Sequence, residues 1–212
     1  MHRRTALSVS AAALLAAAPL LTACGSDAHP GAAAVVGGQR IEVSSLQAQV
    51  ADVRAAQQAS PQAAQLIRET GDLSRQKLHG MIFDRVVDRV AADNGVDATR
   101  AEIQRTRADF ARQSGGEEQL AAVLLQQQGV APDRIDDVAR RAVLMNKIAA
   151  KLGVTDGPEG QKKLTEAFSR ASKALKIDVN PRYGAWDSEK IQLATYTAPW
   201  VRQISKAPAA GA

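Results

Sequence analysis

The chain has 212 residues, 45% of them hydrophobic, and a formal net charge of +5. This length suits one domain with a substantial core, and the interspersed charges give no indication of a nucleic-acid partner. Beyond the amino-terminal segment no apolar stretch approaches the roughly 20 residues of a membrane span, so the sequence predicts a soluble body and excludes further spans.

The amino terminus resembles the export signal of a bacterial lipoprotein. A basic start at residues 2–4 precedes an apolar run at residues 6–21, which is typical of a secretory signal peptide. The run leads into Leu21-Thr22-Ala23-Cys24, which resembles a lipobox. Cys24 is the only cysteine and cannot form an intramolecular disulfide, whereas lipidation of its thiol would explain it. An ordinary signal peptide beside a chance cysteine is the alternative.

The lipobox implies that residues 1–23 are removed as a signal peptide and that Cys24 becomes the lipidated first residue. A diacylglycerol with palmitate-type chains anchors a protein stably, because two acyl chains are buried. Cleavage would leave 189 residues, and the formal charge would fall from +5 to +3 with the loss of two arginines. We expect a lipid-anchored protein on the extracytoplasmic face of the bacterial cell membrane. The general secretory route is favoured over the twin-arginine route, for which Arg3-Arg4 alone is a weak signal.

The first predicted elements are a tether, a hairpin and a helix. Residues 24–33 are small and polar, which is typical of a flexible tether. Residues 34–41 contain two short strands around a pair of glycines, which indicates a hairpin. Ser44 or Ser45 then caps a helix that runs to about Gln58.

Two amphipathic helices follow. The first covers residues 72–93 and ends at Asn94-Gly95. Its apolar stripe consists of Leu78, Met81, Ile82, Val86 and Val90. The second covers residues 100–113, because Thr99 and Glu102 have the spacing of a capping box.

Three more helices complete the helical region. Residues 117–128 form a short helix that ends at Gly129. Pro132 begins the next helix, which runs to about Leu152. Its inward-facing residues are predicted to be Ile135, Val138, Ala142, Met145 and Ile148. A last, mostly polar helix covers residues 162–173.

A late strand at Leu175–Val179 shows the alternation of apolar and polar residues that is typical of strands. It needs a partner, because an isolated strand leaves its backbone groups unpaired. The other strand candidates lie in the hairpin, so the two ends of the mature chain should meet in a small sheet. The sequence predicts a mainly α fold: a multi-helix domain over residues 34–206 with a small sheet, followed by a disordered tail at residues 207–212.

This order of elements resembles the chaperone domain of the SurA and PrsA family, exported proteins that bind unfolded polypeptides. Four stretches carry the resemblance, each in the family's order. They are the opening hairpin at residues 34–41, the long helix and capped helix at 78–103, the apolar helix at 132–152, and the returning segment Val179-Asn180-Pro181-Arg182-Tyr183-Gly184-Ala185-Trp186-Asp187.

The resemblance implies a family member without the prolyl isomerase domain. In the isomerase members a parvulin-type domain lies between the last helix and the returning strand, but here residues 154–176 provide only 23 residues. The mature chain has two histidines, His29 and His79, in the tether and on a helix, which cannot form the paired-histidine site of parvulins. A non-catalytic module without a cofactor is implied, which binds extended chains in a cleft between helices and sheet.

The residues themselves indicate neither an enzyme site nor a metal site. Asp133, Asp136 and Asp137 lie in a first helical turn, where the helix dipole favours acidic residues. Candidate peptide contacts are apolar or aromatic side chains, which suit the binding of unfolded segments. They are Met81, Met145, Tyr183, Trp186, Tyr196 and Trp200. Packing within the protein is the default interpretation for Met81 and Met145 and is favoured for Tyr183 and Trp186, whereas Trp200 stays open between packing and binding.

These inferences predict a membrane-anchored holdase that binds unfolded or partly folded exported proteins, without nucleotide, nucleic acid or metal. The alternative is a scaffold lipoprotein that holds one specific folded partner at the membrane surface. Promiscuity separates the two functions, because a holdase binds many unfolded clients and a scaffold binds one partner.

Overall fold

Helices make up most of the computed structural model of the chain, which describes residues 30–155 and 157–196. The mainly α fold predicted from the sequence is confirmed. Within the described residues the helices are α1 (Val43–Ala59), α2 (Ala63–Glu69), α3 (Leu73–Asp93), α4 (Arg100–Ser114), α5 (Glu117–Gln128), α6 (Ile135–Lys151) and α7 (Pro158–Ala174). None of these helices is long and apolar enough to cross a membrane.

The amino-terminal hairpin pairs with a strand from the carboxy-terminal part of the chain, as predicted. β1 (Ala32–Val36) lies between β2 (Gln39–Glu42) and β3 (Asp178–Val179), and both neighbours run antiparallel to it. Gly37 and Gly38 form the turn between β1 and β2 with φ values of 58° and 78°, which glycine adopts at little cost. The sheet therefore joins two parts of the chain that lie far apart in sequence.

The carboxy-terminal strands differ from the prediction. β3 is shorter than the predicted Leu175–Val179, because Leu175 caps the end of α7 and Lys176 has a φ of 45°, outside the strand region. β4 (Ala185–Asp187) and β5 (Gln192–Ala194) form a second antiparallel sheet that the sequence pattern does not predict. Strands of three residues are too short to show a clear alternation.

The two capping predictions have different outcomes. The Thr99 hydroxyl accepts a hydrogen bond from the Glu102 amide at 3.3 Å, and the Glu102 carboxylate accepts one from the Thr99 amide at 2.9 Å, so the capping box is confirmed. Lys147 of α6 lies 2.6 Å from the same carboxylate. Hydrogen bonds from Lys147 and Thr99 lower the pKa of Glu102 to about 2. Neither Ser44 nor Ser45 caps α1, because the helix begins before both, directly after β2.

The short helix α2 is absent from the sequence prediction, and a buried polar cluster holds it against α1. Gln57, which is fully buried, donates from Nε2 to the Thr70 hydroxyl at 3.2 Å. Arg54 donates to the same hydroxyl at 2.7 Å, and the hydroxyl donates to the Leu66 carbonyl at 2.8 Å. These side chains come from α1 and from the residue that follows α2, so local sequence patterns do not reveal the arrangement.

Two helix starts also differ from the prediction. Pro132 lies in a separate 3-10 turn (Pro132–Arg134) that directly precedes α6, instead of in the helix itself. α7 begins at Pro158 rather than at Lys162. Proline suits the first position of a helix because it has no backbone N–H, and an N–H at this position would have no partner within the helix.

The core lies on both sides of α3, which contacts α1, α6 and α7. Leu78, Ile82, Val86 and Val90 of its predicted stripe are buried, while Met81 is half-buried. The stripe of α6 is predicted less well, since Val138, Ala142 and Met145 are only half-buried. The buried residues of α6 are Ile135, Ala139, Val143, Leu144 and Ile148. α6 packs against both α3 and α4, so its buried surface is displaced from the predicted stripe.

Candidate functional site: a cleft between three helices

A narrow cleft lies between α1, α3 and α6. Its lining positions on α3 and α6 recur every three or four residues, because side chains at this spacing share one face of a helix. The residues that matter for its chemistry are Lys77, Gly80, Met81 and Asp84 of α3 and Asp137 and Arg141 of α6. The local helical repeat therefore gathers charged and apolar side chains on facing surfaces.

The cleft has room for one side chain. Its volume is about 70 Å³, far below the roughly 300–1,000 Å³ of pockets that bind small organic ligands. Gly80 keeps part of this space open, because no atom lies within 4 Å of the position that a Cβ would take. Val53, Met81 and Val138 give the cleft an apolar wall. The dimensions suit one side chain of a polypeptide better than a free cofactor.

A bidentate ion pair between α3 and α6 forms the polar side of the cleft. Arg141 donates from Nε to Oδ1 of Asp84 at 2.6 Å and from Nη2 to Oδ2 at 3.2 Å. Burial raises the pKa of Asp84, and the hydrogen bond from Arg141 opposes that rise. One turn further along α3, Asp88 accepts a hydrogen bond from Arg140 at 2.7 Å. The two pairs hold α3 and α6 at a defined separation.

Lys77 places a second half-buried cation in the cleft. Its Nζ donates to the Gly129 carbonyl at 2.5 Å and, more weakly, to the Gln128 carbonyl at 3.4 Å. Both carbonyls belong to the end of α5, where Gly129 has a left-handed φ of 57°, so the ammonium caps this helix end. Burial lowers the pKa of Lys77, the charge of Arg141 acts in the same direction, and the charge of Asp84 opposes the shift. The ammonium is thus a cation that a nearby anion would stabilise.

Of the predicted peptide contacts, the structure places Met81 in the cleft. Met145 is half-buried and packs against a separate apolar cluster between α3, α6 and α7. Tyr196 is 37% exposed and lies after β5. Trp200 and Cys24 lie outside the described residues. The described positions therefore do not form one common surface.

Two of the predicted aromatic contacts are packed within the protein. Tyr183 is 6% exposed and belongs to the apolar cluster beneath β1. Trp186 is half-buried, and its Nε1 donates to the Ser172 hydroxyl at 2.7 Å. Its ring lies 5.6 Å from that of His79, between centroids, so this histidine is a half-buried packing residue of α3. These contacts favour the packing interpretation for Tyr183 and Trp186.

The charged residues of the cleft were not among the sequence candidates. Lys77, Met81 and Asp84 are spaced four and three residues apart, which places them together beside the apolar stripe of α3. In the sequence, this spacing is the feature that indicates a shared helix face for the three residues. The contact of Lys77 with Gly129, 52 residues away, and that of Asp84 with Arg141, 57 residues away, depend on tertiary packing.

Large exposed apolar side chains are scarce in the described part of the chain. In residues 30–155 and 157–196 they are Ile67 and Tyr196, each 37% exposed. Within the same residues no group of three histidine, cysteine, aspartate or glutamate side chains could hold a metal ion. Besides the narrow cleft, the described body has a depression of about 550 Å³ between α4 and α6 and one of about 450 Å³ beside residues 95–97 and the end of α6. Neither is a broad apolar surface, because charged side chains line both.

Comparison with known proteins gives one family. A sequence model of the SurA-like N-terminal domain matches residues 3–149, which is more than two thirds of the chain. The matched range contains every residue that lines the cleft. No curated protein and no solved structure matches the chain significantly.

Proposed function

Because the chain belongs to the SurA-like N-terminal domain family, which is of chaperone type, we propose that it is a non-catalytic holdase for unfolded exported polypeptides. The observation that carries this proposal is the family match, which covers all the residues that line the cleft. The mechanism is mass action, since a client bound to the cleft is withdrawn from the pool that aggregates.

The cleft supports this proposal through its mixed chemistry. An unfolded chain presents apolar side chains next to polar groups, and the cleft places the apolar Met81 beside Lys77 and the Asp84–Arg141 pair. A contact the size of one side chain buries little area, so each binding event is weak and rapidly reversible. Weak, reversible contacts with many sequences are what a holdase needs.

The proposal includes no isomerase activity. In the isomerase members this interval holds a parvulin-type domain, whereas here the described residues between 154 and 176 form α7 and short connections. His79, the histidine within the described residues, packs against Trp186. The proposed role is therefore binding alone.

The proposal also includes a lipid anchor at Cys24 and a position on the extracytoplasmic face of the bacterial membrane. The lipobox-like sequence before Cys24 supports it. Labelling cells with a palmitate analogue tests it directly. We expect label on the wild-type chain and none on Cys24→Ser, and an unlabelled wild-type chain would refute the anchor.

An aggregation assay tests the holdase function. The mature chain carrying Cys24→Ser is mixed with several unrelated denatured proteins at near-stoichiometric ratios, and light scattering is followed beside a prolyl isomerisation assay. We expect broad suppression of aggregation without isomerisation. Capture of one folded partner without any suppression would favour the scaffold alternative, and measurable isomerisation would refute the non-catalytic role.

A further inference from the structure

We infer that the cleft selects polypeptide segments that present a carboxylate, which Lys77 binds. This inference rests on the proposed polypeptide binding and adds the chemical class of the preferred segment. The carboxylate belongs either to an acidic side chain or to the carboxy terminus of the client, because both offer the same two oxygens.

Lys77 has no carboxylate partner of its own. Within residues 30–155 and 157–196 no acidic side chain lies within 4 Å of its Nζ, which donates only to the neutral carbonyls of Gln128 and Gly129. An ammonium has three N–H groups, so one donor remains for a further partner. The charge of Asp84 favours the protonated form of Lys77, but both oxygens of Asp84 accept hydrogen bonds from Arg141 and neither lies within 4 Å of the Lys77 Nζ.

The charges that line the cleft favour an anion. Among the lining cations, Arg141 pairs with Asp84, and Arg134 lies 3.5 Å from Asp137 and 3.8 Å from Asp133. Among the described residues Lys77 is therefore the lining cation without a carboxylate within 4 Å, and one carboxylate would pair with it. The interaction gains strength because Lys77 is half-buried and therefore poorly hydrated.

The shape of the cleft limits the anion to a group at the end of a short apolar stem. A volume of about 70 Å³ admits one side chain, and Val53, Met81 and Val138 would contact its methylene groups. Gly80 leaves open space at the wall of the cleft, because no atom beyond its chain neighbours and its own helix backbone lies within 4 Å of the position of a Cβ. A glutamate side chain or a carboxy-terminal residue has these properties.

The test uses three fluorescent peptides that share one apolar sequence. Each is titrated with the mature chain carrying Cys24→Ser, and fluorescence anisotropy measures the binding affinity. The first has a glutamine and an amidated end, the second a glutamate and an amidated end, and the third a glutamine and a free carboxylate end. At low salt we expect at least one acidic peptide to bind roughly three- to tenfold more tightly than the neutral one. The second and third peptides distinguish a side-chain carboxylate from a terminal one.

Lys77→Gln is the diagnostic variant, because its amide keeps a donor for the Gly129 carbonyl while the charge is removed. We expect it to bind all three peptides with the affinity of the neutral peptide. Lys162→Gln, at an exposed position of α7 outside the cleft, removes the same charge and should keep the preference. Loss of the preference in both variants would refute the inference, since general charge would then explain it.

If Lys77→Gln fails to fold, the affinities of the three peptides for the chain with Lys77 intact still test the carboxylate preference. Equal affinity for the three peptides would overturn the carboxylate preference and leave the proposed polypeptide binding intact. Absence of binding to any of these peptides and to any denatured protein would overturn the proposed function itself.

Discussion

Gly80 provides a way to fill the cleft without removing any existing contact. It lies inside α3, and no atom is found within 4 Å of the position that its Cβ would take. Glycine within a helix costs about 0.5–1 kcal/mol relative to alanine, because its unfolded backbone is more flexible. Gly80→Ala should therefore stabilise the fold by that amount and raise Tm by about 1–4 °C.

A larger side chain at the same position should block binding. Gly80→Leu adds four carbon atoms to a cleft of about 70 Å³, a volume that holds about two water molecules at roughly 30 Å³ each. The side chain would occupy most of the space, and we expect the affinity for an unfolded peptide to fall at least tenfold, or about 1.4 kcal/mol. Ala101→Leu, at an exposed position of α4, is the matched control and should leave the affinity unchanged.

Thermal melts followed by circular dichroism and peptide anisotropy measure the two effects separately. We expect Gly80→Leu to stay folded while its affinity for the peptide falls, and Gly80→Ala to be more stable than the wild type. A folded Gly80→Leu variant with wild-type affinity would show that clients do not enter the cleft. A destabilised Gly80→Ala variant would show that the space beside α3 is not open.

Three further predictions concern the stability of the fold. The pKa of Glu102 is lowered from 4.5 to about 2, so its contribution to stability is present above pH 4.5 and is lost as the pH falls towards 2. Urea unfolding between pH 5 and 2 should accordingly show a weaker pH dependence for Glu102→Gln, and an unchanged profile would contradict the assignment. Gln57→Leu removes a buried amide that donates a hydrogen bond to Thr70, and we expect it to lower the free energy of unfolding by about 1–3 kcal/mol. Urea unfolding measures this loss, and an unchanged free energy would mean that other contacts hold α2. Arg141→Met leaves the half-buried Asp84 carboxylate unpaired and should cost about 1–2 kcal/mol, with the loss diminishing at acidic pH as that carboxylate is protonated.

The parts of the fold that depend on local sequence were predictable. The hairpin turn at Gly37 and Gly38 requires positive φ values, and the capping box of Thr99 and Glu102 joins residues three positions apart. The stripe of α3 follows from helical periodicity alone. In each case the information lies within a few residues of the element that it specifies.

The parts that depend on tertiary contacts were not predictable. The seven residues of α2 show no strong periodicity, and Arg54 and Gln57 hold this helix from another element. The strands β4 and β5 gain their order from pairing with each other and from packing against α3. Their sequences carry too short a pattern for a prediction.

The candidate site shows the same division. Met81 is identified as a candidate peptide contact from the sequence, because the apolar stripe of a helix follows from its periodicity. The contacts of Lys77 with the end of α5, and of Asp84 with Arg141, join residues more than 50 positions apart. The cleft therefore depends on the packing of α1, α3 and α6 against one another, which the sequence of each helix alone does not specify.

Methionine methyl NMR tests the central claim, that the cleft binds unfolded polypeptide, most directly. After removal of residues 1–23 the chain has two methionines, Met81 in the cleft and Met145 in a separate apolar cluster, so each spectrum reports the site and an internal control. On titration with a permanently unfolded client we predict that the Met81 methyl signal shifts or broadens while that of Met145 stays unchanged. Suppression of client aggregation with no change at Met81 would contradict the account and place binding elsewhere on the molecule.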